Sequence, residues 1–309
     1  QASEVKGINM NSIELAVTSK EPELLEDVLK AIGDLNSDKV KEQINIAIQK
    51  ASKNGAYSCL VILIEQNAYT RQPQGQSSMN DNILLKALVS KSPEAISLIM
   101  KHHKNELTQT FKRTRNKKNV DICFLSELFT AAKGIISLRP VIKEALKILK
   151  DKDIDITPAE NPGAVHWICI AGDIDIAKYV LDNFMVNVNK LDENGETGAH
   201  HLIYDKCKED NVIEFIKLLL DKGFNPNVIL MKDGSIKAQT LLQKCIMYTY
   251  LNEELLKATE FLLSSCNCNP DALMYLPSRP NNRITIREYV NEHRSDEMQE
   301  LFARIPIQS

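Results

Sequence analysis

A repeated pattern with a period in the low thirties constrains the fold of this chain more than any other feature of its sequence. His166 and His200 lie 34 residues apart, and each is surrounded by a matching set of apolar and turn residues. Each copy holds two short apolar segments at helical spacing, which is typical of a solenoid of helix pairs. One pair is too small to bury its own apolar side, so neighbouring pairs must cover it.

The boundaries of the helices in these copies are marked by residues with special backbone preferences. Gly172 follows the first apolar segment of one copy, and Gly223 follows the second segment of the next copy. Glycine ends a helix readily because it adopts the left-handed conformation without steric cost. Residues 192–195, Asp-Glu-Asn-Gly, carry an Asn-Gly turn signal. We therefore expect a short hairpin to project between the two copies.

Residues 197–200, Thr-Gly-Ala-His, resemble the Thr-Pro-Leu-His motif of ankyrin repeats, and residues 219–227 resemble the end of that family's second helix. The chain departs from the family by lacking Pro at position 198 and by extra residues around 207–211. The resemblance implies an all-α fold, an ankyrin-type helix-turn-helix solenoid of roughly seven to eight degenerate repeats with hairpin loops. It also implies that His166 and His200 bond the backbone of neighbouring turns.

The period extends outward from these two copies and divides the chain into two parts. Residues 1–160 are predicted to be degenerate N-terminal ankyrin-like repeats with a basic insertion near 111–119, and residues 161–309 to be more regular repeats with a C-terminal capping repeat. An irregular α-helical domain is the alternative for the N-terminal half, and the region 101–160 is either a true repeat or an interruption. The sequence starts Gln-Ala-Ser without Met, as expected for a piece of a longer protein.

Composition limits the partners and the compartment. The net charge of −3 argues against bulk attraction to nucleic acid or to membrane surfaces, and no apolar run is long enough to insert into a membrane. The seven cysteines lie mainly at apolar positions, a usage that suits a reducing compartment. We therefore expect a cytoplasmic protein with a protein partner, and neither nucleic acid nor a small-molecule substrate. The Lys-, Ile- and Asn-rich repeats are similar to ankyrin-type proteins that intracellular bacteria deliver into host cytosol.

The resemblance implies that side chains on the concave face and at the hairpin tips contact the partner, and Trp and Tyr are enriched among binding hot spots. The predicted contacts are Trp167, His201, Tyr204, Lys244 and Tyr248 on the inner helices, Asp192, Glu193 and Asn194 at one tip, and Lys232 and Asp233 at another. The alternative for Trp167 is packing between helices. Burial of Trp167 inside the stack would contradict an open groove at that position.

A cluster of cations lies between two predicted repeats and is expected to project as a basic loop. Its members are Lys112, Arg113, Arg115, Lys117 and Lys118. Such a run binds phosphate or acidic surfaces, or directs nuclear import. The competing interpretation is a solvated insertion without a partner.

The sequence predicts no catalytic residue, no cofactor and no metal site. Residues 266–268, Cys-Asn-Cys, have one residue between their thiols, whereas structural zinc usually requires two to four. Residues 102–103, His-His, are expected to end a helix, and Cys207 lacks the readable partners that a cysteine hydrolase needs beside His200. We therefore predict a non-enzymatic protein-interaction module. The alternative is the targeting domain of an effector whose enzymatic activity lies elsewhere or in 101–160.

Overall fold

The structure is a computed structural model, and it describes most of the chain. The described residues are 11–35, 37–65, 83–102, 104, 107, 110–115, 118–132, 134–154, 156, 163–192, 194–204, 211–228, 231–232, 235–236, 239–249, 253–274 and 284–306. The chain divides into two compact units, 1–154 and 155–309. The division predicted at 160, between degenerate and more regular repeats, stays a prediction.

The first unit consists of four helix pairs with one β-hairpin among its described residues. Its elements are α1 (Asn11–Ser19), α2 (Pro22–Ile32), α3 (Asp38–Asn54), α4 (Tyr57–Glu65), α5 (Ile83–Ser90), α6 (Pro93–His102), β1 (Thr110–Arg115), β2 (Lys118–Cys123), α7 (Phe124–Ala132) and α8 (Arg139–Asp151). A short 3-10 turn, Ile136–Leu138, precedes α8. The region 101–160 therefore contains a hairpin followed by a helix pair.

The second unit consists of four further helix pairs and one very short hairpin, again among the described residues. Its elements are α9 (Ala164–Ala171), α10 (Ile174–Asn183), α11 (Gly198–Tyr204), α12 (Val212–Asp221), β3 (Met231–Lys232), β4 (Ser235–Ile236), α13 (Leu241–Tyr248), α14 (Glu253–Ser265), α15 (Ile286–His293) and α16 (Asp296–Ala303). The predicted all-α repeat fold is confirmed.

The helices of each unit form two rows, because the first helix of a pair packs on the first helix of the next pair. In the first unit α1, α3, α5 and α7 contact one another in that order, and so do α2, α4, α6 and α8. In the second unit α9, α11 and α13 form one row, and α10, α12 and α14 form the other. This arrangement buries the apolar stripe of each amphipathic helix against its neighbours in the stack.

Residues with positive φ follow the ends of several helices. Gly55 and Gly172 end the first helix of their pairs with φ of 63° and 65°, and Gly223 follows α12 with φ of 85°. Lys20 and Lys91 occupy the corresponding turn in two other pairs with φ of 62° and 58°. The two lysines carry the steric cost that glycine avoids, so these two pairs make the same turn without a glycine.

The core is apolar and includes most of the described thiols. Cys59, Cys169 and Cys245 are buried among aliphatic side chains, as their positions in the sequence predicted, and none of the three forms a disulfide bond. Burial raises the pKa of the Cys169 thiol far above its usual range, so it remains protonated and behaves as a small hydrophobe. Among the described residues, no helix is both long enough and apolar enough to span a bilayer.

Candidate functional site

A buried polar network lies where the hairpin at 191–197 meets the first-helix row of the second unit. Asp192 and Gly195 close the predicted turn, since the backbone N–H of Gly195 donates to the Asp192 carbonyl over 3.0 Å. The Asp192 N–H donates to the Glu196 carbonyl over 2.8 Å, and Leu191 pairs with Thr197 in an isolated antiparallel bridge. The predicted hairpin is confirmed, and it places two carboxylates above α9, α11 and α13.

In three successive repeats, the fourth residue of the repeat motif forms a side-chain hydrogen bond to a backbone carbonyl of the following repeat. His166 Nε2 lies 3.0 Å from the Glu196 carbonyl oxygen, and His200 Nε2 lies 2.9 Å from the Gln239 carbonyl oxygen. In the next repeat Gln243 Nε2 donates to a backbone carbonyl 30 residues on, over 2.8 Å. The structural role that the resemblance implied for both histidines is confirmed. The use of glutamine for the same bond was not predicted.

Both linking histidines are fully buried, which keeps them neutral. Burial lowers the pKa of His200 to about 4, and burial also lowers the pKa of His166. The Nδ1 atom of His200 lies 2.9 Å from the Thr197 hydroxyl and accepts from the Thr197 N–H over 3.1 Å. The corresponding position before His166 is Gly163, which has no hydroxyl, and His166 Nδ1 is buried without a hydrogen-bond partner.

Asp192 faces inward and contacts His201. Its Oδ1 atom accepts from the backbone N–H groups of Asn194 and Glu196 over 2.8 and 2.9 Å, and its Oδ2 atom lies 3.4 Å from His201 Nε2. Burial alone would raise the pKa of Asp192, but the His201 ring and these two N–H groups outweigh it and lower the pKa to about 2. Asp192 is therefore an anion held in one orientation.

Lys244 forms an ion pair with Glu196 inside the same network. The Lys244 side chain is 0% exposed and the Glu196 side chain is 14% exposed. Lys244 Nζ also lies 6.0 Å from the centre of the Tyr248 ring. Burial lowers the pKa of Lys244, and the Glu196 carboxylate opposes that change. Removing either charge would leave the other buried without its compensation.

The prediction that Trp167 and Lys244 line an open groove is wrong for both residues. Trp167 is 3% exposed and Lys244 is fully buried. Trp167 belongs to α9, whose residues are apolar on nearly all sides and which packs against α10 and α11. A helix that is apolar all round becomes buried, so Trp167 packs between helices, which is the alternative that the sequence left open.

The other predicted contacts fall into three groups. His201 and Tyr248 are partly exposed, with the His201 side chain 20% exposed. Asn194 is exposed at the hairpin tip. The Asp192 side chain is only 8% exposed and accepts hydrogen bonds from backbone N–H groups of the hairpin. Tyr204 ends α11 and Lys232 lies in β3, but their side chains, Glu193 and Asp233 lie outside the described part of the chain. Partner binding by all of these residues stays a prediction.

The predicted basic loop is a β-hairpin over most of its length, which corrects that prediction. Lys112, Arg113 and Arg115 lie in β1, and Lys118 begins β2, while Lys117 falls outside the described residues. The backbone register pairs Lys112 with Asp121 and Arg115 with Lys118. The density of charge in this segment indicated a solvated loop. The segment also contains Phe111, Val120 and Ile122, and residues of these types are enriched in strands.

The remaining candidates lie in surface or turn positions. The Cys266–Cys268 segment turns away from the end of α14, with Asn267 at φ of 51°, as predicted for a turn. His102 ends α6 as predicted, and His103 and Cys207 lie outside the described residues.

A groove of about 570 Å³ in the first unit contains the Lys101–Glu144 ion pair at 3.4 Å. Ion pairs this exposed are typical of solvated surfaces.

One set of described side chains in the network has the composition of a metal-ligand cluster. His166, Asp192 and His201 each offer one ligand atom, and these atoms lie within 4.8 Å of one another. The rings of His166 and His201 are 5.5 Å apart in an edge-on arrangement. No sequence pattern indicates this cluster, because the repeat register places Asp192 at a hairpin tip, His201 in a groove and His166 in a structural bond.

Comparison with known proteins gives a limited match. The serine/threonine-protein kinases TNNI3K of Mus musculus and Rattus norvegicus are each 30% identical to the chain over 78 residues, which is 25% of this chain and 9% of the kinase. The solved structure of EF0377, an ankyrin repeat protein, matches with a TM-score of 0.47 and 17% identity over 72% of this chain and 97% of that chain. No protein-family model matches.

The fold therefore has to be judged on its own geometry. Paired helices form two rows, a hairpin with an Asn-Gly turn connects two pairs, and a histidine in the fourth position of the repeat motif bonds the turn of the next repeat. These are the features that the resemblance led us to expect at 163–227. In these features the helix-pair repeats of the chain resemble ankyrin repeats.

Proposed function

We propose that the chain is a protein-interaction module that binds its partner through the first-helix row and the hairpin tip of the second unit. The observation that supports this most is the rigidity of the hairpin, where Asp192 Oδ1 accepts two backbone N–H groups and Glu196 is paired with Lys244. A surface fixed before binding loses little conformational freedom on association. Repeat arrays of this kind generally act as binding scaffolds.

The correction at Trp167 and Lys244 narrows the proposed surface. The described contacts that remain available are Asn194 at the tip, with His201 and Tyr248 on the row of first helices. Tyr204, Glu193, Lys232 and Asp233 are proposed to extend the same surface. Tyr248 is the aromatic anchor of this set, and Tyr is enriched among residues that dominate binding energy.

An affinity capture from eukaryotic cytosol tests this proposal, with the full chain as bait. We expect Asn194→Arg combined with Tyr248→Ala to lose a partner that the unchanged chain retains. Glu214→Arg on α12 is the matched control, because Glu214 is also exposed but lies on the second-helix row. Loss with Glu214→Arg and retention with the double variant would place the binding surface on the opposite row.

We further propose that the chain acts in a reducing cytosol, and that it is an effector which reaches the cytosol of a host cell. The described cysteines form no disulfide bond and are mostly buried at apolar positions, which supports the reducing compartment. The effector role rests on composition. A translocation reporter fused to the chain in its source cell tests delivery, and failure to reach host cytosol would remove the effector role while leaving the interaction module.

A further inference from the structure

We propose that His166, Asp192 and His201 form a binding site for a divalent transition metal ion, with Zn²⁺ as the best match to the ligand set. This goes beyond the proposed interaction function and does not depend on it. Two imidazole nitrogens with one carboxylate oxygen suit Zn²⁺, whereas Ca²⁺ and Mg²⁺ favour oxygen ligands alone. Three protein ligands leave one position of a tetrahedral ion open to solvent.

The separation of the best-defined ligand pair fits one ion. Asp192 Oδ2 and His201 Nε2 are 3.4 Å apart. Bonds of about 2.1 Å in a tetrahedral zinc site place two ligand atoms roughly 3.4 Å apart, so this pair needs no rearrangement. The remaining separations reach up to 4.8 Å, and a small rotation of the His166 or His201 ring would shorten them.

His201 Nε2 lies at ion-pair distance from Asp192 Oδ2, over 3.4 Å. Nδ1 of His166 has no hydrogen-bond partner, and the His166 side chain is fully buried. Buried polar atoms nearly always have partners in folded proteins, so this nitrogen requires an explanation. A metal ion bound between the two imidazole rings and the Asp192 carboxylate supplies that partner to His166.

The surrounding groups hold the ligands as outer-shell partners do in metal sites. Asp192 Oδ1 accepts from two backbone N–H groups, and Oδ2 contacts His201 Nε2 and the Asn194 side-chain amide, each over 3.4 Å. The His166 ring is anchored by its Nε2 contact with the Glu196 carbonyl. Such partners orient a ligand and raise its affinity for metal.

The charges around the site also tolerate a dication. Glu196 is paired with the nearby Lys244, and Asp192 supplies a carboxylate beside the two imidazoles. The His201 side chain is 20% exposed, so the cluster lies close to the surface.

Calorimetric titration of the chelator-treated full chain with Zn²⁺ tests the site. We expect one Zn²⁺ per chain, and a loss of affinity of more than tenfold in both His201→Ala and Asp192→Asn. Asparagine at 192 retains an acceptor for the two N–H groups while removing the charge. His293→Ala is the matched control, because His293 is exposed on α15 and lies outside the cluster; its affinity for Zn²⁺ should equal that of the unchanged chain.

Two further measurements separate this site from binding by thiols. Substitution of Co²⁺ should give a spectrum without a thiolate charge-transfer band, and ¹⁵N NMR should show shifts of the His166 and His201 ring nitrogens alone among the histidines. The absence of saturable binding, binding unchanged in His201→Ala, or a thiolate band would overturn the proposal. The emission of Trp167 in each variant verifies that the repeat is still folded.

Discussion

The absence of Pro at position 198 leads to the sharpest test of how the repeats pack. A Cβ atom added at Gly198 would lie 2.6 Å from the Val165 carbonyl oxygen and 2.9 Å from the Val165 carbonyl carbon. Both are backbone atoms of α9, so they cannot move aside as a flexible side chain would. We therefore expect Gly198→Ala to force α11 away from α9, and Gly198→Pro to be excluded for the same reason.

The expected cost of Gly198→Ala is that of overpacking a core contact, about 1–3 kcal/mol of unfolding free energy. Trp167 is the single tryptophan of the chain and lies in α9, so its emission reports on this interface during a urea titration. With a urea dependence of about 2 kcal/mol per molar, the midpoint should fall by roughly 0.5–1.5 M.

Gly163→Ala is the matched control for that measurement. Its added Cβ would lie 2.8 Å from Cδ of Lys190, which is the flexible part of a long side chain and can swing away. The midpoint of this variant should stay close to that of the unchanged chain. An equal loss in both variants, or no loss in Gly198→Ala, would refute the conclusion that backbone approach selects glycine at position 198.

Three further predictions concern the network and the thiols. Lys244→Met should lower the unfolding free energy by about 3 kcal/mol because Glu196 is left buried without its cation, and adding Glu196→Gln should recover most of that loss in the same urea titration. Gly163→Thr should raise the unfolding free energy by about 1 kcal/mol, since a hydroxyl there caps α9 and supplies His166 Nδ1 with the partner that His200 has; no gain would contradict that assignment. Among the described thiols, Cys266 should react first with a maleimide in the native state, because the others are buried, and equal rates would contradict the burial.

The sequence was sufficient to predict features that depend on local chemistry. Gly172 and Gly223 adopt positive φ at helix ends because glycine does so without a Cβ penalty, whatever lies beyond the turn. The hairpin at 191–197 follows from the Asn-Gly dipeptide and from Asp192, whose carboxylate bonds nearby N–H groups. Such signals act within a few residues, so a single sequence is enough to read them.

The positions of Trp167, His201 and Lys244 could not be predicted in the same way. They occupy the fifth place in three successive repeat motifs, and the spacing alone suggested an open row. In the structure, Asp192 and Glu196 reach from the hairpin over these helices, so Lys244 becomes part of an internal ion pair. Burial here depends on contacts between residues up to 48 positions apart, which no local pattern encodes.

The inter-repeat bonds explain how repeats of this kind persist while their sequences diverge. His166, His200 and Gln243 occupy the fourth position in three successive repeats, and each bonds a backbone carbonyl in the next turn over 2.8–3.0 Å. The bond requires a buried side-chain nitrogen that reaches the carbonyl oxygen of the next repeat. A buried carbonyl without a hydrogen bond would lower the stability of the stack. Histidine and glutamine both meet that requirement, so the third of these repeats makes the same bond with a different side chain at the motif position. Detection by residue identity therefore weakens along this chain before the packing of its helix pairs does.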